Sequence, residues 1–384
     1  MDTTQPTPLL GGLSPQQFMQ RHWQKKPLLV RQAIAGFTPL LDRAALFALA
    51  EREEVESRLL QCGDAGWKLR HGPLPRRARP PIKKPNWTVL VQGVDLHVEA
   101  VHRLMQRFRF VPDARLDDVM ISWASDGGGV GPHFDSYDVF LLQAYGQRRW
   151  RIGRQKDKTL VEGLPLRILA HFEPEEEFVL DPGDMLYLPP GWAHDGIAVG
   201  ECMTYSIGFR QPKRGELARE LLQRLAEDAE EVAGETPYRD PKQPAVAAPG
   251  AIPGPMLDFA RDALQAVLDD PEELACLLGE YLSEPKPQVV FAPAIGAAAP
   301  RDAVGVVLDR RTRMLYDEAR VFINGESYLA SGRDAQLMRA LADARQLDAQ
   351  ALRKASRGAR ALVQQWKEAG WLHDDDTTGP AGHD

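Results

Sequence analysis

The chain has 384 residues, room for two or three domains, and 43% of them are apolar, so full cores can be buried. Its net charge of −7 speaks against a protein that coats nucleic acid by itself, and it suits a basic protein partner. No apolar stretch reaches the length of a membrane span, the start is polar and proline-broken, and Cys62, Cys202 and Cys276 are isolated; a reduced, cytoplasmic protein is expected.

Residues 1–35 predict an opening helix, with Ser14 as N-cap, Pro15 in the first turn and Gln17 completing a capping box. Residues 40–60 carry a second helical pattern. Residues 68–84 are proline-rich and basic, with Lys68, Arg70, Arg76, Arg77, Arg79, Lys83 and Lys84, and read as a solvated loop. The sheet is expected to start at Trp87-Thr88-Val89-Leu90-Val91-Gln92. A helix over 97–108 follows, and then strands as far as Phe209. The run Ser136 to Gln143 is apolar enough to be buried on both faces.

Beyond the strands, residues 214–233 predict an amphipathic helix with a stripe of Leu217, Leu221, Leu222 and Leu225. Two more helices are expected over 256–267 and 271–282, and the apolar stripes predict a homodimer interface. A Pro/Ala-rich linker over 283–300 leads to short strands at 304–308 and 320–323, an Asn324-Gly325 turn, and helices near 333–344, 348–355 and 357–370. That order suggests a winged-helix-like module. Residues 305–384 hold 12 Lys/Arg and 12 Asp/Glu, with a small basic cluster at Arg353, Lys354, Arg357 and Arg360; direct nucleic-acid binding is not expected.

The chemistry sits in two motifs. Gly127-Gly128-Gly129-Val130-Gly131-Pro132-His133-Phe134-Asp135 places an imidazole and a carboxylate two residues apart, on one face if the backbone is extended. Gly183, Pro189, Gly191 and His194 mark a second strand and tight turn, with a histidine just beyond. Two histidines and an aspartate hold one face of a metal and leave the other open, the ligand set of mononuclear non-haem iron(II) oxygenases. No cysteine pairs accompany them, so this is not a structural zinc site. Gln147-Arg148-Arg149-Trp150-Arg151-Ile152 alternates strictly. If Trp150 and Ile152 face inward, so does Arg148, and a buried guanidinium needs an anion such as the far carboxylate of 2-oxoglutarate. Ser122 and Thr204, on neighbouring strand patterns, could add hydrogen bonds.

These motifs, the Arg148 strand and the return strand ending Tyr205-Ser206-Ile207-Gly208-Phe209-Arg210 resemble the JmjC/cupin-4 oxygenases, most closely the bacterial ribosomal-oxygenase type. His22-Trp23-Gln24-Lys25-Lys26-Pro27 and Tyr137-Asp138-Val139-Phe140 extend the likeness. The resemblance implies an α+β chain built on a double-stranded β-helix, with iron(II), 2-oxoglutarate and O2 as reaction partners. His133, Asp135 and His194 would be ligands and Arg148 the cosubstrate anchor. It implies hydroxylation of an arginine in a large-subunit ribosomal protein, for which Asp126, Tyr137, Asp138 and Asp195 are candidate substrate contacts. The expected division is a catalytic domain over 1–212, a helical dimerisation region over 213–290, a winged-helix-like domain over 291–373 and a disordered tail over 374–384. Two alternatives stay open: an oxygenase acting on a different side chain, and a ligand-sensing cupin fused to a DNA-binding regulator.

Overall fold

A computed structural model describes residues 2–64, 66–293 and 304–375. Of the disordered tail expected over 374–384, Asp374 and Asp375 belong to a strand, Leu372–Asp375; the rest of it, with His383, and the end of the second linker lie outside the described residues. The chain divides into two compact units, Met1–Gln211 and Pro212–Asp384. The helices expected to form a separate region thus share a unit with the strands that follow them.

The first unit contains α1 (Pro15–Arg21), β1 (Leu28–Val30), α2 (Arg43–Ala50), β2 (Ser57–Gly63), β3 (Gly66–His71), β4 (Trp87–Val91), α3 (Glu99–Gln106) and β5 (Leu116–Ala124). It continues with β6 (His133–Phe134), β7 (Val139–Arg154), β8 (Glu176–Leu180), β9 (Met185–Leu188) and β10 (Trp192–Phe209). The ten strands pair in the order β1-β9-β7-β10-β5-β4-β2-β3, with β6 on β10 and β8 on β7. Two long antiparallel strands, β7 and β10, form the spine of this jelly roll.

Local chemistry explains the key elements. The capping box at α1 forms as expected: Ser14 Oγ accepts from Gln17 N at 3.2 Å and Gln17 Oε1 accepts from Ser14 N at 3.0 Å. β7 is apolar on both faces because it serves two cores. Phe140 and Leu142 pack with Phe18, Trp23 and Tyr187, while Val139 and Leu141 pack with Trp150, Ile152, Leu180, Leu186 and Leu188. Each such burial contributes about 1.5–3 kcal/mol, so a one-residue slip in register would expose both sets and is strongly disfavoured.

Three expectations change. The helical pattern over 40–60 ends at Ala50, and β2 takes its second half. The basic stretch begins as β3, so the sheet starts well before Trp87, with β1 pairing β9. His133 does not head a continuous strand: β6 is two residues long, Asp135 lies just past it, and β7 begins at Val139.

The second unit contains α4 (Arg214–Ala233), α5 (Gly254–Leu268), α6 (Pro271–Ser283), β11 (Gly305–Leu308), β12 (Met314–Tyr316), β13 (Arg320–Ile323), β14 (Glu326–Leu329), α7 (Gly332–Ala344), β15 (Gln346–Leu347), α8 (Ala349–Arg353), α9 (Arg357–Glu368) and β16 (Leu372–Asp375). The strands make two three-stranded sheets, β15-β11-β16 and β12-β13-β14. Asn324 and Gly325 both take positive φ, 51° and 90°, in the β13–β14 turn. The core joins Val306, Leu308, Ile323, Leu341, Val363 and Trp366. On α4, Leu225 is buried, but Leu222 is 55% exposed and leaves the expected stripe.

Candidate metal centre

β6 and β10 run antiparallel with His133 opposite His194, which brings the imidazole rings to a centroid separation of 4.3 Å. Asp135 follows on the same segment, and its Oδ2 lies 3.7 Å from His194 Nε2. The Asp135 carbonyl accepts from Gly191 N at 2.8 Å, tying the first motif to the turn of the second. One candidate ligand atom from each of the three side chains falls within 4.8 Å of the others.

The imidazoles are oriented by backbone. His133 Nδ1 lies 2.8 Å from the Gly131 carbonyl and His194 Nδ1 lies 3.0 Å from the Trp192 carbonyl. A carbonyl only accepts, so each Nδ1 carries the proton and each Nε2 keeps its lone pair for a metal. Burial, and then the neighbouring His133, push the His194 pKa down to about 4, so His194 is neutral at neutral pH. His194 is buried, while His133 and Asp135 are half-buried, leaving one side approachable. Two neutral nitrogens and a carboxylate oxygen fit iron(II) or manganese(II).

The register of β7 on β10 sets the rest of the pocket. Ile152 faces His194, Trp150 faces Gly196 and Arg148 faces Ala198, so all three β7 side chains share the face of His194. Gly196 is required there, because a Cβ would come within 2.6 Å of the Trp150 ring. Arg148 is only 3% exposed. Its Nε donates to Cys202 Sγ at 3.4 Å, and its Nη2 is buried without a partner. A buried guanidinium nitrogen with no acceptor costs roughly 1–3 kcal/mol or more, which an arriving carboxylate would offset. Ala124, Ala198 and Cys202 form a small apolar cluster beside it.

Ser122 and Thr204 are opposite each other across β5 and β10, and Thr204 is opposite Gln143 on β7. Both are buried. Thr204 Oγ1 donates to Gln143 Oε1 at 2.9 Å, and Ser122 Oγ donates weakly to the Thr204 carbonyl at 3.4 Å. Thr204 therefore has to give up a bond before it can donate to a carboxylate, whereas Ser122 gives up little.

The candidate substrate contacts scatter. Tyr137 is 40% exposed, and burial of its hydroxyl together with Asp135 and Asp118 raises its pKa. Asp138 is fully buried and accepts from Tyr187 Oη at 2.6 Å and Gln24 Nε2 at 3.1 Å; burial pushes its carboxyl up. It anchors the N-terminal segment through Gln24, which leaves it closed to a substrate. Asp195 pairs with Arg151 at 2.5 Å on the face opposite His194. Asp126 accepts from Gly200 N at 2.8 Å, holding the β10 bend. Sequence reasoning missed Asp118, buried on β5 at even spacing from Ser122 and held by Gln92 Nε2 at 2.9 Å. It also missed Gln143 and Cys202. The alternation Asp118-x-Met120-x-Ser122 was the available signal for Asp118.

A jelly roll that gathers two histidines and a carboxylate beside a buried arginine has the form of a cupin-type oxygenase. The JmjC domain family matches residues 103–217, and the ROXA-like winged helix matches residues 266–373. The ribosomal protein uL16 3-hydroxylase of Escherichia coli is 34% identical over 319 residues, covering 82% of this chain and 83% of that protein. A probable ribosomal oxygenase of Haemophilus influenzae is 36% identical over 210 residues, 53% of this chain and 52% of that one. The solved structure of E. coli YcfD superposes with a TM-score of 0.83 at 32% identity, covering 93% of this chain and 97% of that one. YcfD, described as a ribosomal oxygenase, has also been solved with cobalt and 2-oxoglutarate, with a TM-score of 0.79 at 31% identity over 93% of this chain and 97% of that one. The chain belongs to the JmjC-domain ribosomal oxygenases.

Proposed function

We propose that the protein is an iron(II)- and 2-oxoglutarate-dependent hydroxylase of a large-subunit ribosomal protein, acting on an arginine side chain. The observation that carries the reading is one sheet face holding His194 on β10 and, four register positions along, Arg148 on β7 with an unmatched donor. When bound, iron(II), 2-oxoglutarate and O2 supply an oxidative decarboxylation that puts one oxygen atom into a C–H bond and the other into succinate, with release of carbon dioxide.

The chain's own residues set up that chemistry. His133, Asp135 and His194 hold the metal, with the Nδ1 protons fixed on backbone carbonyls. Arg148 takes the far carboxylate of the 2-oxo acid, and Ser122 is placed to assist. Trp150, Ile152, Leu186 and Leu188 wall the pocket with apolar surface and exclude water. Asp118, whose charge reaches the Tyr137 hydroxyl, is the candidate for holding the substrate guanidinium, with Tyr137 at the rim. The relatives' names and the cobalt and 2-oxoglutarate bound by YcfD support the same chemistry.

The test is succinate formation from 2-oxoglutarate with iron(II) and ribosomal-protein extract. His194→Ala should give none and should lose manganese(II) binding. Intact masses should then show one large-subunit protein heavier by one oxygen, at an arginine, only in cells that make the enzyme. Unchanged masses throughout would end the substrate reading even with succinate formed.

We further propose that the catalytic domain ends near residue 212, with the helices and the winged-helix-like part beyond it as one unit, and that the chain forms a homodimer. On α5, Leu257, Leu264 and Leu268 are 53%, 68% and 48% exposed, more apolar surface than an isolated helix keeps in water. Leu264→Asp should shift the protein to monomer in light scattering; a wild type that is already monomeric removes the dimer. No described helix is long and apolar enough to cross a membrane, and a cytoplasmic site of action fits the substrate.

A further inference from the structure

Residues 66–86 form a charge anomaly. They hold Lys68, Arg70, Arg76, Arg77, Arg79, Lys83 and Lys84 and no Asp or Glu, in a chain whose net charge is −7. The fold puts them at one edge: β3 ends the strand order of the sheet, and the loop to β4 follows it. Lys68 and Arg70 share one side of β3, and both are exposed, as are Arg76, Arg77, Lys83 and Lys84. Only Arg79 has a carboxylate partner among the described residues, Glu51 at 2.6 Å. Some exposed cations elsewhere in this unit, Arg31 and Arg52 among them, are matched, by Asp184 and Glu54. Apart from Arg79, no cation of this cluster has a carboxylate partner among the described residues, and like charges this close repel.

A second observation lies beside it. A cavity of about 690 Å³ opens between α2 and the loop, lined by Phe47, Ala48, Pro80, Pro81 and Ile82 together with Arg43, Arg76, Arg79 and the carboxylate partner of Arg79, Glu51. The Arg79 guanidinium lies over the Phe47 ring at 4.6 Å, held from behind by the Phe47 carbonyl at 3.1 Å. That side chain is only 9% exposed and already paired with Glu51, so an entering nucleic-acid base would pack chiefly on Pro80, Pro81 and Ile82. The cavity falls within the usual range for small-molecule pockets, roughly 300–1,000 Å³.

We propose that this edge is a docking surface for single-stranded RNA, in addition to the oxygenase site. Phosphates lie along Arg76, Arg77, Lys83 and Lys84, and a base enters the cavity against Pro80, Pro81 and Ile82. The apolar surface of Pro80, Pro81 and Ile82 beside unpaired surface cations favours RNA over an acidic protein, which would need only the point charges. The overall net charge hid this, because it averages a basic edge with an acidic remainder.

The proposal is independent of the oxygenase reading and is tested on full-length protein by fluorescence anisotropy with a labelled single-stranded RNA of mixed sequence. The wild type should bind at low salt. Replacing Arg76, Arg77, Lys83 and Lys84 by Glu should weaken binding at least tenfold. With about 0.7 of salt slope for each single-strand phosphate contact, it should also flatten the log–log salt slope by roughly three. Ile82→Ala should cost a few-fold with the slope unchanged, which separates the cavity from the charges. Turnover of a peptide substrate should stay normal in the four-site variant, showing that it folds. No binding by the wild type at low salt overturns the proposal. So does an equal loss on replacing Lys354 and Arg357 by Glu in the other unit, or equal competition by polyglutamate.

Discussion

Arg148 in the first unit and Asp309 in the second are both buried charges, and the fold treats them oppositely. Asp309 is satisfied from within: Arg311 Nε and N donate to Oδ1 at 2.7 and 2.8 Å, and Arg311 Nη2 and His373 Nε2 reach Oδ2 at 2.9 and 2.8 Å. Arg148 has a thiol, a neighbouring ring and an unmet Nη2. The first arrangement stabilises a small domain and asks for nothing else. The second is costly until a ligand arrives. Burial alone does not mark a functional charge; burial with an open donor does.

The sharpest way to break this contrast is Arg148→Ala. Losing a charge-assisted contact of about 1.5–3 kcal/mol should raise the 2-oxoglutarate requirement roughly ten- to a hundred-fold. Arg149→Ala, on the opposite strand face, should change it little. A large loss at 149 with none at 148 would reverse the face assignment.

Asp309→Asn should do the opposite, leaving cosubstrate binding intact and loosening the second unit by roughly 1.5–3 kcal/mol. Hydrogen exchange in β11 and β16 reads this out. Burial works against the Asp309 charge, but His373 and Arg311 hold its pKa well below the usual carboxylate range. A carboxylate whose folded pKa is depressed stabilises fully above its unfolded value of ~3.9, and that contribution is lost as pH falls toward the folded value. Protection in β11 and β16 should therefore drop below about pH 4 in the wild type and stay flatter in the variant. Identical pH profiles would show that the network contributes nothing.

The smallest effect is expected at Cys202, which steers Arg148 through Nε. Cys202→Ala should weaken 2-oxoglutarate binding a few-fold, and Cys202→Ser, which keeps an acceptor, should restore it. Tryptophan fluorescence of the manganese(II) form checks this without turnover, since Trp150 adjoins both Arg148 and His194.

How much was legible in the sequence follows the same physics. His133, Asp135 and His194 announce themselves by short spacings around glycine and proline turns, and the fold brings them together. Arg148 was readable because its strand alternates without interruption. Thr204 and Gln143 were harder, because the register shifts between Val199 and Met203 and again at Thr204, so counting along β10 loses the face. Asp138 was misjudged because the chain breaks between β6 and β7, and alternation does not carry across a break. β3 was hidden because an exposed edge strand rich in Lys and Arg has little apolar rhythm to detect.

One further consequence concerns heredity rather than chemistry. The groups that orient the two histidine ligands are carbonyls of Gly131 and Trp192, two residues upstream in the same stretch of chain. No side-chain replacement elsewhere can delete a backbone carbonyl, so ligand orientation is shielded from most point mutations. The exposure to mutation moves to the path of the chain itself. Gly131 and Gly191 sit at φ +79° and +78°, where a side chain is poorly tolerated. Random mutagenesis scored for metal retention should therefore find its second tier of sensitive sites at these glycines, not at polar neighbours of the histidines.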